Sequence, residues 1–178
     1  MEVYEAIQKR RSIRKYEKKK IDKNIIGLLL EAAINAPCAG NVQEWRFIIV
    51  EDEKQKEKIA KACYDQLWMK DASCYIVICA DLDEIESFYG ERGKKMYAYL
   101  DCAHAAQNIL LQATELKLGT CVVAAFDDEK IKQILELPEN VIPIEIITVG
   151  YPAEQPEKPE RKSLSSITFY EKYGKKLE

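Results

Sequence analysis

The chain has 178 residues, 47% hydrophobic and 32% charged, a balance that fits one folded domain with a real core and excludes a disordered or fibrous protein. Its 27 basic and 30 acidic residues leave a net charge of -3, so bulk charge gives no reason to expect nucleic acid or a membrane surface as a partner. The start, "MEVYEAIQKRRS", lacks the apolar run of a secretory signal, and no stretch approaches a bilayer span. The expected location is the cytoplasm, and the six cysteines, with no CxxC and His104 as the single histidine, are expected to be reduced thiols with no metal site.

In chain order, Val3, Ala6 and Ile7 recur at helical spacing and predict a first helix that runs into "KRRSIRKYEKKK". Asp22 is placed to cap "KNIIGLLLEAAINA", apolar on nearly every side and therefore expected to be a central, buried helix ending before Pro37. "RFIIV" predicts a strand, residues 52 to 64 an amphipathic helix, and "CYIVICA" a strand covered on both faces. A long helix is expected from Lys95 to Lys117, with Tyr99, Ala103, Ala106, Leu110 and Ala113 on its buried stripe. "TCVVAAF" is a third strand, Asp127 caps "DEKIKQILEL", and "IPIEIITVGY" is a fourth strand. Residues 1 to 150 thus read as the body of a layered α+β or α/β domain. Residues 151 to 178, with Pro152, Pro156 and Pro159, read as an extended C-terminal arm of the same domain.

No GxGxxG or GxxxxGK[ST] occurs, which disfavours a dinucleotide on a Rossmann crevice. A phosphate can instead be gripped by arginines, whose planar fork meets two oxygens at once. Arg10, Ser12 and Arg14 alternate, so an extended segment points all three one way, and a second basic group at Lys158, Arg161 and Lys162 can close on the same anion. A solvated face, or an arm on nucleic acid formed by residues 9 to 20, stays open as an alternative at this point. The loop after the second helix is built from Pro37, Cys38, Ala39, Gly40, Asn41, Gln43 and Trp45. Small residues there admit a flat ligand close to the backbone, and the amides offer donors and acceptors to a heteroaromatic ring. His104 is expected to be a satisfied helix histidine, Trp68 and Met69 core residues, and Asp101 a first-turn acid.

Taken in order, "RRSIRKY", "APCAGNVQEWRFIIV", "DCAHAAQNILLQATELKLGTC" and "VGYPAEQPEKPERKSL" resemble the FMN-dependent nitroreductase family across Tyr4 to Ile167. The resemblance implies an α+β fold with a mostly antiparallel sheet flanked by helices. It implies an intertwined homodimer that exchanges its C-terminal arms and holds FMN at the subunit interface. By the same resemblance Arg10, Arg11, Ser12, Arg14, Arg161 and Lys162 meet the FMN phosphate, and Gly119 and Thr120 belong to a further cofactor motif. Pro37, Cys38, Ala39, Asn41 and Gln43 reach the flavin from the other subunit, and Gln66 is the candidate for its pyrimidine edge. The chain departs from the family in having Cys38 for the usual Ser, Glu44 for the usual Pro and Val122 for a Trp. Little room is left between Asp81 and Lys95 for substrate-covering helices.

The implied activity is ping-pong hydride transfer from NADH or NADPH, through flavin N5, to a small electron-poor acceptor such as a nitroaromatic or quinone. No side chain is required as nucleophile or obligatory acid, and neither nucleic acid nor membrane is an expected partner. Dehalogenation, ring oxidation or flavin fragmentation on the same scaffold are the rival chemistries, and "SITFY" is expected to add a strand to the neighbouring subunit's sheet edge.

Overall fold

Four apolar runs become strands β1 (Trp45–Val50), β2 (Cys74–Asp81), β3 (Gly119–Val123) and β4 (Val141–Gly150). They form one antiparallel sheet in the order β1-β2-β4-β3. The computed structural model describes residues 1 to 176, and the last two residues of the expected arm lie outside the described residues. Central β2 is buried from Cys74 through Ala80, as its unbroken apolar run requires of a strand with both faces covered. Helices α2 (Lys23–Ile34) and α5 (Ala98–Glu115) cover one face. Helices α3 (Glu53–Ala62) and α6 (Asp128–Leu135) cover the other. The class is α+β, as expected.

The predicted caps form: Asp22 accepts the Asn24 amide at 2.8 Å and Asp127 the Lys130 amide at 3.1 Å, each satisfying a backbone donor left free at a helix start. The burial of the helices departs from expectation. In α2 only Ile26, Leu29 and Ala33 are buried, while Leu28 and Ile34 lie exposed, so this helix is not central. Helix α1 (Val3–Lys9) buries Ala6 alone, leaving Val3 70% and Ile7 51% exposed. Helix α5 is shorter than predicted and its buried stripe is rotated. Ala98, Cys102, Ala105 and Ile109 turn inward with Ala106, Leu110 and Ala113, while Tyr99 and Ala103 face out. Small residues on the inner face let the helix lie close to the sheet, which periodicity alone does not distinguish from a larger apolar stripe. The stretch expected to have little room instead holds helix α4 (Leu82–Arg92), which a π-helical turn at Gly93–Tyr97 joins to α5. "SITFY" gives no strand among the described residues; Leu164–Ile167 forms the short helix α7, and Thr168 is extended.

One local arrangement positions everything that follows. Gly119 of β3 and Gly150 of β4 are register partners, and the segment after α1 crosses over them. A Cβ on Gly119 would lie 2.9 Å from three carbons of Ile13, and one on Gly150 would lie 2.6 Å from Tyr16 Cδ1. Ile13 and Tyr16 are themselves buried, so neither can swing away. Gly150→Ala is expected to destabilise the protein by about 1–3 kcal/mol by overpacking. Gly27→Ala in α2, where an added Cβ meets nothing within 4 Å, is expected to be neutral or to stabilise by about 0.5–1 kcal/mol. Calorimetric melting of the two variants checks both signs.

Candidate functional site

The strap from Arg10 to Glu17 is sewn to two neighbours. On one side Ser12 bridges Thr120, and the Ile13 amide donates to Thr120 O at 2.9 Å. On the other side Tyr16 bridges Pro152, Glu17 N donates to Tyr151 O, and Ala153 N donates to Lys15 O. One oxygen of Glu154 accepts both the Arg14 amide, at 2.6 Å, and the Lys15 amide, at 3.2 Å. The beginning of the C-terminal arm is thereby fixed along the strap, and Lys158 Nζ continues the seam by donating to Gln8 Oε1.

This seam closes a cleft of about 690 Å³ in which Arg10, Arg11, Ser12 and Arg14 meet Lys158 and Arg161. The two basic groups seen in the sequence are therefore one site, although about 140 residues of chain lie between them. Among the described residues none of these five cations lies within 4.0 Å of a carboxylate. Arg11 is half-buried, with Nη1 donating at 2.7 Å to Gln8 O and to Arg10 O at the end of α1. Its buried Nε has no partner. The Arg14 guanidinium lies 5.7 Å from the centre of the Trp68 ring, a cation–π contact that restrains an otherwise exposed side chain. A cleft with several unpaired guanidiniums, one hydroxyl and an orphaned N–H has the donor set of a phosphomonoester site.

The Pro37–Gln43 loop lies elsewhere, beside the start of α5, and none of its residues lines the cleft. Its composition answers a backbone demand. Gly40, Asn41 and Gln43 all have left-handed φ values, 54°, 58° and 61°, which Gly adopts freely, Asn tolerates and Gln does not favour. A Cβ on Gly40 would fall 2.3 Å from Tyr89 Oη of α4. Strained residues gathered in one short loop mark a place where shape matters more than local stability. The loop is held by Asp101, whose Oδ2 accepts the Ala39 amide at 2.8 Å. Burial pushes the Cys38 thiol above its ordinary range, so at neutral pH it is a weak neutral donor and not a thiolate.

Other expected residues fall as follows. Gly119 and Thr120 are buried beneath the strap and back Ser12. Gln66 caps a short turn, Leu67–Asp71, that carries Trp68 toward Arg14. Lys162 is exposed and not among the residues lining the cleft. His104 is exposed on the outer face of α5 and not a satisfied interior histidine. Met69 is core. Asp101 is no ordinary first-turn acid, since its partner lies 62 residues away in the loop. Sequence reasoning missed Glu154, Gln107 and Tyr89; the first two seat or line the cleft and the third packs on Gly40. No local motif marks them, because each acts through a contact distant in sequence.

The family model for the nitroreductase family matches residues 7–72 and 64–151. A Methanothermobacter thermautotrophicus protein provisionally named NADH dehydrogenase/NAD(P)H nitroreductase is 38% identical over 88% of this chain and 80% of its own length. The FMN reductase [NAD(P)H] of Bacillus subtilis is 27% identical, with 97% and 74% covered. The crystal structure of a Bacteroides thetaiotaomicron protein, also provisionally named NADH dehydrogenase/NAD(P)H nitroreductase, superposes with a TM-score of 0.82 at 33% identity, covering 96% of this chain and 98% of that one.

The double role of Glu154 generates a test. Glu154→Ala is expected to cost about 1–2 kcal/mol, the scale of hydrogen bonds to a charged acceptor that is partly exposed. Native-state hydrogen exchange should then quicken at Arg14 and Lys15 while the β2 amides keep their relative protection.

Proposed function

The chain belongs to the nitroreductase family, and on that premise we propose that it is an FMN-dependent NAD(P)H oxidoreductase acting as a homodimer. The observation that carries this reading is the convergence of the strap and the C-terminal arm in one cleft rich in unpaired guanidiniums. When bound, FMN would supply the redox chemistry, ping-pong hydride transfer from NADH or NADPH to a small electron-poor acceptor such as a nitroaromatic or quinone.

The chain supplies binding and placement. Arg10, Arg14 and Arg161 neutralise the phosphate, Ser12 donates to it, and Arg11, whose buried Nε has no partner, adds a further positive charge to the lining. Lys162, one residue beyond Arg161, joins at the rim, and Gln66 approaches the pyrimidine edge on the turn that carries Trp68. Gly119 and Thr120 fix the strap from below. Pro37, Cys38, Ala39, Asn41 and Gln43 frame the ring bound to the other subunit, which is consistent with the loop lying away from the cleft of its own chain.

A second copy also accounts for the exposed apolar face. Val3, Tyr4 and Ile7 of α1, Leu28 and Ile34 of α2, and Tyr99 and Leu100 of α5 are all exposed, on helices that pack against one another. An apolar surface spread over three helices is a liability on a monomer and an interface in a dimer. In this reading residues 151 to 178 form an arm of the 1 to 150 domain that reaches the neighbour beyond the seam, and arms are exchanged. The reading includes a cytoplasmic location and no membrane or nucleic-acid partner. No helix among the described residues is long and apolar enough to cross a membrane.

Arg14→Ala and Arg161→Ala are each expected to weaken FMN binding by about 1.5–3 kcal/mol, the worth of a hydrogen bond to a charged group. Gln133→Ala, at an exposed position on α6, is the surface control and should leave FMN affinity unchanged. Protein purified with its cofactor should be yellow and should bleach on anaerobic addition of NADH or NADPH. Failure of both donors to reduce the flavin would exclude the reductase in favour of another flavin chemistry.

A further inference from the structure

Glu44 stands where the family usually has proline, and its side chain is fully buried. Neither carboxyl oxygen has a hydrogen-bond partner among the described residues. Among the described residues no Lys, Arg or His lies within ion-pairing distance of it. An ionised carboxylate there would give up its water and receive nothing in return. The group facing it is the carboxyl of Asp101, also buried and already accepting the Ala39 amide.

The remaining titratable neighbours give little relief. Glu84 on α4 is a third acid facing Glu44, and it is engaged by Arg46 at 2.7 Å. The thiols of Cys38 in the loop and Cys102 on α5 feel the charges of both acids, and Cys102 also feels that of Glu145 on β4. Two carboxyls in contact away from water cannot both ionise; a single proton between them turns repulsion into a charge-assisted O–H···O hydrogen bond. Asp101 already accepts the Ala39 amide through Oδ2, so a proton on Glu44 would let Glu44 donate to the Asp101 carboxyl without disturbing that bond. Burial, with the charge of Asp101 adding to it, accordingly pushes Glu44 up to about 7.

We propose that Glu44 and Asp101 share one proton and that the protonated pair is the positioning element of the Pro37–Gln43 loop, holding Ala39 and so the shape that receives the flavin. When solvent base removes the proton, the two facing carboxylates repel and the Ala39 amide loses its fixed acceptor. The cofactor half of this inference rests on the FMN reading above. The folded state binds the proton more tightly than the unfolded chain, so the contribution of Glu44 is complete below the ordinary glutamate range. It is lost as pH rises through about 7.

The test compares the full-length wild type with Glu44→Gln, whose amide keeps a donor for Asp101 but has no proton to lose, between roughly pH 6 and pH 8.5. Without cofactor, exchange protection of the Ala39 amide is referenced to that of Cys63, which donates within the last turn of α3. This ratio is expected to fall in the wild type by up to about tenfold per pH unit above neutrality and to stay level in the variant. Asp101→Asn, which offers Glu44 a donor and Ala39 an acceptor, is the second variant and should also stay level.

FMN affinity, read by quenching of flavin fluorescence, should weaken with pH in the wild type relative to Glu44→Gln. The FMN phosphate and Glu145 titrate in both proteins and cancel from that ratio. Parallel pH dependence of Ala39 protection in wild type and variants overturns the shared proton. A constant affinity ratio beside diverging protection overturns the role in cofactor placement. If no protein binds FMN at any pH, the cofactor reading fails, and Ala39 protection still decides the proton.

Discussion

The strap can lie against the β3–β4 ladder only because Gly119 and Gly150 are paired in register and present no side chain to it. Interiors are packed tightly enough that one methyl group at either position would collide with Ile13 or Tyr16. Every later feature of the cleft inherits its place from that contact. The Ser12–Thr120 bridge sets the height of the arginines over the sheet, and Tyr16 against Pro152 sets the line along which the C-terminal arm departs. Glu154 then tethers the arm by two backbone amides. A charged cleft would otherwise be pushed open by its own like charges, and here backbone hydrogen bonds resist that repulsion.

The loop at the start of α5 solves the opposite problem. It carries little charge at its surface but rests on buried acids, and it spends local stability on three left-handed residues. Where the strap is fixed by a sheet, the loop is fixed by its own turn hydrogen bonds, by Arg46 donating to Gln43 O and by the Asp101 carboxyl accepting the Ala39 amide. The strap is therefore held by the ladder of a sheet and the loop by turn and side-chain hydrogen bonds, so the two differ in what fixes their shape.

What was legible in the sequence follows from this physics. The four strands, the Asp22 and Asp127 caps and the alternation of Arg10, Ser12 and Arg14 are local signals, carried by hydrophobic period and cap chemistry, and the structure has them all. The joining of the strap to Arg161 could be surmised from matching charge but not from any spacing. Errors cluster on the helices. An apolar residue such as Leu28 or Tyr99 reads the same whether its face meets the sheet of its own chain or remains exposed, and periodicity assigns both to the core. Asp101 does lie in the first turn of α5, as expected, but its hold on Ala39 has no local signal, because that partner lies 62 residues away. The helix α4 went unseen because a short, charged stretch with Gly90 and Gly93 resembles a connector, although Asp81 caps it at 3.3 Å.

The seam between residues 8 to 17 and residues 151 to 158 has a consequence for how the protein is made. Chains emerge from the ribosome N-terminus first, at about 5–20 residues per second, so the strap is available long before its partner. The sheet face that Gly119 and Gly150 expose must wait until β4 has been made, and the contacts spanning 140 to 150 residues form only once residues 154 to 158 follow it. The basic cleft is thus absent from any chain that stops short of residues 156 to 161, and an anionic ligand of that cleft meets its site only after the arm has been made.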